Sequence, residues 1–210
     1  MRRIRLAGLA LAVLTTVMIT GCGTSSAVNS TNGNVSGQAT NAAAGSAGQD
    51  ANPPFANRLK DLPATPDPQF DATSVSAATY GSVTVYDANG SKVILDAKKT
   101  PILFVAYWCP HCQRTLVLLN AHRQSLAQFP TLVSMGFAPG TSLSEAVSIT
   151  HQEMSYFHIQ NVKEYYYLGS KSQTLVPQGY PTLVFPSQGS VSAMFGEHTI
   201  GAWQQAMHSQ

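Results

Sequence analysis

Cys109 and Cys112 are the residues of this chain best equipped for chemistry. They stand two residues apart in Trp108-Cys109-Pro110-His111-Cys112, after an apolar run and before a helical pattern. At that spacing both fall within the first turn of a helix, where two sulfurs can close a disulfide and reopen it. The first sulfur faces the unpaired N–H groups and the positive dipole end of that helix, which favour thiolate over thiol. A thiolate beside a second thiol is suited to disulfide exchange. Cys109, the more exposed sulfur, attacks or is attacked, a mixed disulfide forms, and Cys112 resolves it from a turn inside the helix. A partly protonated His111 between them would stabilise the thiolate, and with it the reduced form, making the couple more oxidising.

Other chemistries need residues that the sequence does not place here. Tetrahedral zinc takes four ligands, and no second cysteine pair is present. Haem attachment requires a histidine directly after the second cysteine, where Gln113 stands. His122, His151, His158, His198 and His208 show no ligand spacing, so no metal is expected. The expected redox group is the Cys109–Cys112 pair itself, with no separate cofactor.

The chain has three cysteines, and the remaining one sits near its start. Arg2, Arg3 and Arg5 precede an apolar stretch from Leu6 to Thr20, which is too short to span a bilayer comfortably and reads as an export signal. It ends in Ile19-Thr20-Gly21-Cys22, which resembles a bacterial lipobox. Residues 1–21 are therefore expected to be a lipoprotein signal peptide and Cys22 the lipidated residue. The expected location is the outer face of the bacterial cytoplasmic membrane, with the lipid on Cys22 as the membrane contact. Residues 22–70 are expected to form a tether. It is rich in Ser, Asn, Gly, Ala and Thr, then stiffened by Pro53, Pro54, Pro63, Pro66 and Pro68. Residues 71–210 are left for one folded domain. Without Arg2, Arg3 and Arg5 the chain carries nine Lys/Arg against ten Asp/Glu. No basic run remains, so nucleic acid is not an expected partner.

The elements that must position the sulfurs follow from apolar periodicity. Ser82–Tyr86 and Lys92–Leu95 read as strands joined by Asp87-Ala88-Asn89-Gly90, a hairpin sequence because Asn-Gly accepts positive φ. Residues 101–106 are almost continuously apolar, as in a strand buried on both faces. A helix is expected over 113–128, ended by Pro130, and a second buried strand over 131–137, completing a right-handed βαβ unit. Thr141 or Ser142 with Glu145 behind it reads as the capping box of another helix. Tyr165-Tyr166-Tyr167 suggests a short strand or a packed loop. Residues 182–195 read as an antiparallel hairpin and 199–208 as a terminal helix.

A buried strand, Trp108-Cys109-x-x-Cys112 on a helix, and Gly179-Tyr180-Pro181-Thr182 before a later strand together resemble the thioredoxin fold, over roughly residues 80–208. The expected architecture is an α/β, thioredoxin-like three-layer fold, a central mixed sheet between flanking helices, with an added N-terminal β-hairpin. That hairpin resembles the extracytoplasmic, membrane-anchored TlpA/ResA-like branch, whereas the Pro110-His111 dipeptide is similar to that of DsbA-type oxidases. The resemblance implies that Cys109 is the nucleophile, Cys112 the resolving thiol, and Pro110 and His111 the residues that tune them. It also implies that Trp108, Tyr180, Pro181 and Thr182 meet the substrate, with Pro181 in cis. A DsbA-type site implies an oxidant, poised nearer about −120 mV than the roughly −270 mV of thioredoxin. The chain departs from the family at Leu103, six residues before the nucleophile, where a buried carboxylate usually stands. Glu153, Glu164, Glu197 or water would have to take its place.

The expected function is thiol–disulfide exchange on exported proteins, as an oxidase recharged by a membrane redox partner. The alternatives are an extracytoplasmic reductase of the cytochrome-maturation type and a surface-binding lipoprotein without catalysis. The long segment 138–179 would shape substrate choice.

Overall fold

The apolar run after Pro101 becomes strand β4 (Ile102–Val105), with all four residues buried. Its side chains alternate between two cores. Leu103 and Val105 join one cluster, Ile102 and Phe104 the other, which is why the strand has no polar face. The computed structural model describes residues 65–208. The expected signal peptide, Cys22 and most of the expected tether lie outside the described residues. No described helix is long and apolar enough to cross a membrane.

In chain order the elements are β1 (Thr73–Ser74), α1 (Ala77–Tyr80), β2 (Val83–Tyr86), β3 (Lys92–Leu95), β4, α2 (Pro110–Ala121), β5 (Thr131–Ser134), α3 (Leu143–Tyr156), β6 (Glu164–Tyr166), α4 (Ser172–Leu175), β7 (Thr182–Ser187), β8 (Ser190–Phe195) and α5 (Ile200–His208). The strands form one sheet in the order β1-β8-β7-β4-β5-β6-β2-β3. β4 lies parallel to β5 and antiparallel to β7, and β5 is parallel to β6, so the sheet is mixed. Cys112, Leu116 and Leu119 of α2, Met154 of α3 and Trp203 of α5 pack on one face. Tyr80 of α1 and Leu175 of α4 pack on the other. The expected three-layer thioredoxin-like arrangement is present: β4-α2-β5 and β7-β8-α5 share the central sheet, and the second helical layer consists of single turns.

Local differences from the sequence reading have physical causes. The helix expected to run to residue 128 stops at Ala121, and a 3-10 turn follows at Arg123–Ser125. There Arg123 donates to the Gln160 and Asn161 carbonyls at 2.8 and 3.0 Å and lies over the Phe129 ring. The turn still delivers Leu126 to the core. In the β2–β3 hairpin only Gly90 takes positive φ, at 88°. Asp87 Oδ1 organises the turn instead, accepting from the Asn89 and Ser91 N–H groups. The hairpin joins the sheet through β6, at the pair Tyr86–Tyr166. The α3 capping box uses Ser142: its hydroxyl accepts from Glu145 N–H, and the Glu145 carboxylate accepts from Ser142 N–H.

The folded region begins before residue 71, where composition placed the end of the tether. Asp67 forms a parallel bridge to His198, donates its N–H to the Glu197 carbonyl at 2.8 Å and accepts from Thr199 N–H at 2.9 Å. Phe70 packs on Phe185. Asp71 accepts from His198 Nε2 at 3.0 Å, fastening the same segment.

Candidate active site

β4, an interior strand, ends at Val105, and the chain turns through Ala106-Tyr107-Trp108 into α2. Cys109 is the N-cap residue of α2, and Pro110 takes the first helical position, where its missing N–H removes nothing the helix needs. The N–H groups of His111 and Cys112 thus face the Cys109 sulfur, although neither closes a geometric capping bond. Both cysteines are free thiols. Cys109 is lowered to about 6, first by a hydrogen bond from the Cys112 thiol. Burial opposes this; the Cys112 and His111 N–H groups and then the His111 charge assist it. Cys112 moves the other way, pushed well up by its burial and then by Cys109. Its sulfur meets the Ala106 N–H at 3.4 Å. The geometry thus separates one ionised sulfur from one retained thiol.

The sulfur of Cys109 is less open than the sequence suggests, with the residue only 5% exposed. The loop before β7 covers it. The Tyr180–Pro181 peptide bond is cis, and the Tyr180 carbonyl lies 3.8 Å from Cys109 Sγ. Trp108 meets the Tyr180 ring edge-on and donates Nε1–H to the Gly136 carbonyl at 2.7 Å. Gly136 has φ +74°, and a Cβ there would sit 3.0 Å from the Tyr180 hydroxyl and 3.2 Å from Ala106 Cβ, so a side chain at this position would strain the backbone and press on Tyr180. Trp108, Tyr180 and Pro181 therefore line the approach to the sulfur. Thr182 does not. It is buried in β7 with its hydroxyl donating to the Gly179 carbonyl at 2.7 Å, and it supports the loop from behind.

The His111 ring engages a carboxylate. Its Nδ1 lies 3.0 Å from Glu197 Oε2, and Glu197 also accepts from Arg114 Nε and Nη2 at 2.7–3.0 Å. Burial favours the acid form of Glu197, but the bonds from Arg114 and then His111 outweigh it and hold the group below the usual carboxylate range. Arg114 stands three residues after His111 on α2, a spacing that could have pointed to it. Glu197 lies 83 residues beyond Arg114, and nothing in the local pattern does so.

The other two carboxylates named from sequence lie deeper. Glu153 faces inward from α3, and Glu164 of β6 accepts from Ser134 Oγ at 2.6 Å and Tyr166 OH at 3.0 Å. Both are raised by burial first, Glu153 far above its ordinary range. Among the described residues Asp67, Asp71 and His198 also converge. There His198 Nε2 is engaged by Asp71 and Nδ1 lies 3.2 Å from the Gly196 carbonyl, which makes the cluster a fastening for the N-terminal segment.

No protein-family model matches the chain, and no curated protein matches it. Solved structures do. The pneumococcal exposed lipoprotein thioredoxin of Streptococcus pneumoniae aligns with a TM-score of 0.45 and 18% identity, over 61% of this chain and 99% of that one. A secreted disulfide oxidoreductase of Mycobacterium tuberculosis, homologous to Escherichia coli DsbE, aligns at 0.42 and 14%, over 62% and 96%. A thiol:disulfide interchange protein of Chlorobium tepidum aligns at 0.42 and 14%, over 70% and 97%. The functional reading rests on the site's own geometry.

Proposed function

We propose that the protein is a thiol–disulfide oxidoreductase that donates disulfides to exported proteins. The observation that carries this reading is the placement of the two sulfurs: Cys109 at the N-cap of α2 beneath the Tyr180 carbonyl and lowered to about 6, Cys112 fully buried behind it and pushed up. In the oxidised enzyme a client thiolate attacks Cys109 Sγ, the Cys109–Cys112 bond breaks, and Cys112 leaves as the reduced partner. A second client thiolate then displaces Cys109, which departs readily because its thiolate is stable.

The same acidity supports that direction. Relative to a thiol of ordinary value 9, a group at about 6 stabilises the reduced enzyme by about 1.4 kcal/mol at pH 7, or about 30 mV for a two-electron couple. The sign favours disulfide donation. Residues 1–22 supply the setting: export, lipid on Cys22, and work at the outer face of the bacterial cytoplasmic membrane, where a membrane redox partner would recharge the pair.

Equilibration of the full-length protein with glutathione is expected to give a potential above about −270 mV. A value at or below that, with the protein recovered reduced from cells, would assign it to reduction instead. Cys112→Ser should trap clients as mixed disulfides on Cys109. Recovery of none would leave only the reading of a binding lipoprotein.

A further inference from the structure

We propose that Glu197 restrains His111, holding its ring and offsetting its charge, so that the Cys109–Cys112 couple is less oxidising than the Pro110-His111 dipeptide alone would make it. The inference rests on the exchange chemistry above and names a positioning residue for it.

His111 and Arg114, three residues apart on α2, reach one carboxylate. Glu197 Oε2 lies 3.0 Å from His111 Nδ1. Arg114 grips both carboxylate oxygens, through Nε at 2.9 and 3.0 Å and through Nη2 at 2.7 Å. Nη2 also lies 2.9 Å from His111 Nδ1. Nδ1 therefore stands between a group that only accepts and a group that only donates. Carrying a proton it gives its hydrogen to Glu197, and without one it takes a hydrogen from Arg114. The ring is held in one place in both states.

The carboxylate is fixed by contacts that do not involve the ring. Asp67 N–H donates to the Glu197 carbonyl at 2.8 Å, and Gly196, at φ +86°, donates its N–H to the Pro181 carbonyl at 2.8 Å. The Glu197 side chain is 9% exposed, against 44% for His111. Glu197 is thus the rigid member and the half-exposed ring the one that is positioned. The same short stretch is tied to the cis peptide whose Tyr180 carbonyl lies over Cys109 Sγ. An Arg114–Glu197 pair would fasten α2 to the β8–α5 connection without a third contact, so fastening does not account for His111.

His111 stands two residues after Cys109 in the first turn of α2, and a positive charge there favours the Cys109 thiolate. A carboxylate 3.0 Å from the charged ring turns that charge into a dipole, whose field weakens faster with distance. Arg114, which also feels the Cys109 charge, is offset by the same carboxylate. Removing the negative charge of Glu197 exposes the thiolate to both cations. A ring that then gave up its proton would cancel at most the charge removed, so the direction does not reverse.

The test is the equilibrium of the full-length protein with glutathione at pH 7, read as reduced and oxidised protein by mass after alkylation. It compares the parent, Glu197→Gln, His111→Ala and the double variant. Glutamine keeps the size of the side chain and an oxygen for Arg114. Glu197→Gln should shift the equilibrium constant about two- to fivefold toward reduced protein, the range of a partly exposed ion pair. In the His111→Ala background that shift should shrink by at least half. Arg114→Gln should shift the equilibrium the other way, toward oxidised protein, whereas a merely structural role would move both variants alike. An equal shift with and without His111 would overturn the assignment, as would no shift or one toward oxidised protein for Glu197→Gln. If Glu197→Gln does not fold, Glu197→Asp, which draws the charge back by one methylene, runs the same cycle with the same directions expected and the same results overturning it. A parent protein that does not exchange with glutathione at all would sink the exchange chemistry itself, a separate failure.

Discussion

Replacing Cys112 should change the acidity of Cys109 more than replacing any other neighbour. The Cys112 thiol is the first cause of the low Cys109 value, ahead of both backbone N–H groups and the His111 charge. A hydrogen bond to a charged acceptor contributes about 1.5–3 kcal/mol, and each pKa unit is about 1.4 kcal/mol, so losing it corresponds to about 1–2 units. Cys112→Ala should therefore move Cys109 from about 6 to about 7–8. The ionised share at pH 7 drops from roughly nine-tenths to between about a half and a tenth. Cys112→Ser keeps an O–H donor and should fall between the two. Neither variant should return to the ordinary value, because the His111 and position-112 N–H groups remain at the helix start. The rate of alkylation by iodoacetamide against pH, with the ultraviolet absorbance of the thiolate as a second readout, measures all three proteins. A Cys112→Ala protein that still titrates near 6 would show that the helix terminus alone sets the acidity.

His111→Ala should raise the Cys109 value by less than Cys112→Ala, since the imidazole acts last among the causes and leans toward Glu197. An equal or larger rise in the same alkylation assay would reverse that order. The reduced protein should also depend on pH in its stability. Cys109 is more acidic folded than unfolded, so its contribution is lost as pH falls through about 6 and grows toward pH 9, to about 1.4 kcal/mol at pH 7 and on the order of 4 kcal/mol near pH 9. Urea unfolding of the reduced and oxidised forms measures this by difference, and a difference flat between pH 6 and 9 would contradict it.

The central strands were legible because burial on both faces leaves a strand no polar position, as at Ile102–Val105, and the Ser142–Glu145 cap because its partners are three residues apart. The site's core was legible for the same reason: Trp108 to Cys112 is one contiguous stretch, and Tyr180-Pro181 is a recognisable pair. What stayed hidden depends on contacts between distant segments. Glu197 meets Arg114 and His111 only after β8 folds back beside α2. Glu153 is named from sequence only as one of three carboxylates that could replace the one missing at Leu103, and nothing in the local pattern marks its burial, or that of Thr150, on α3. Thr182 lies next to Pro181 in sequence, yet strand alternation sends it into the core between Phe104 and Phe195.

The contacts made by Asp67 decide where a truncated version of this protein can begin. Cutting at residue 71 would discard the peptide that bonds the Glu197 carbonyl and the Thr199 amide, and would unwrap the chain from the residue whose side chain clamps His111 and Arg114. A recombinant fragment meant to keep the groove between this segment and α2, lined by Pro66, Arg114 and Glu197, has to retain Pro66 and Asp67.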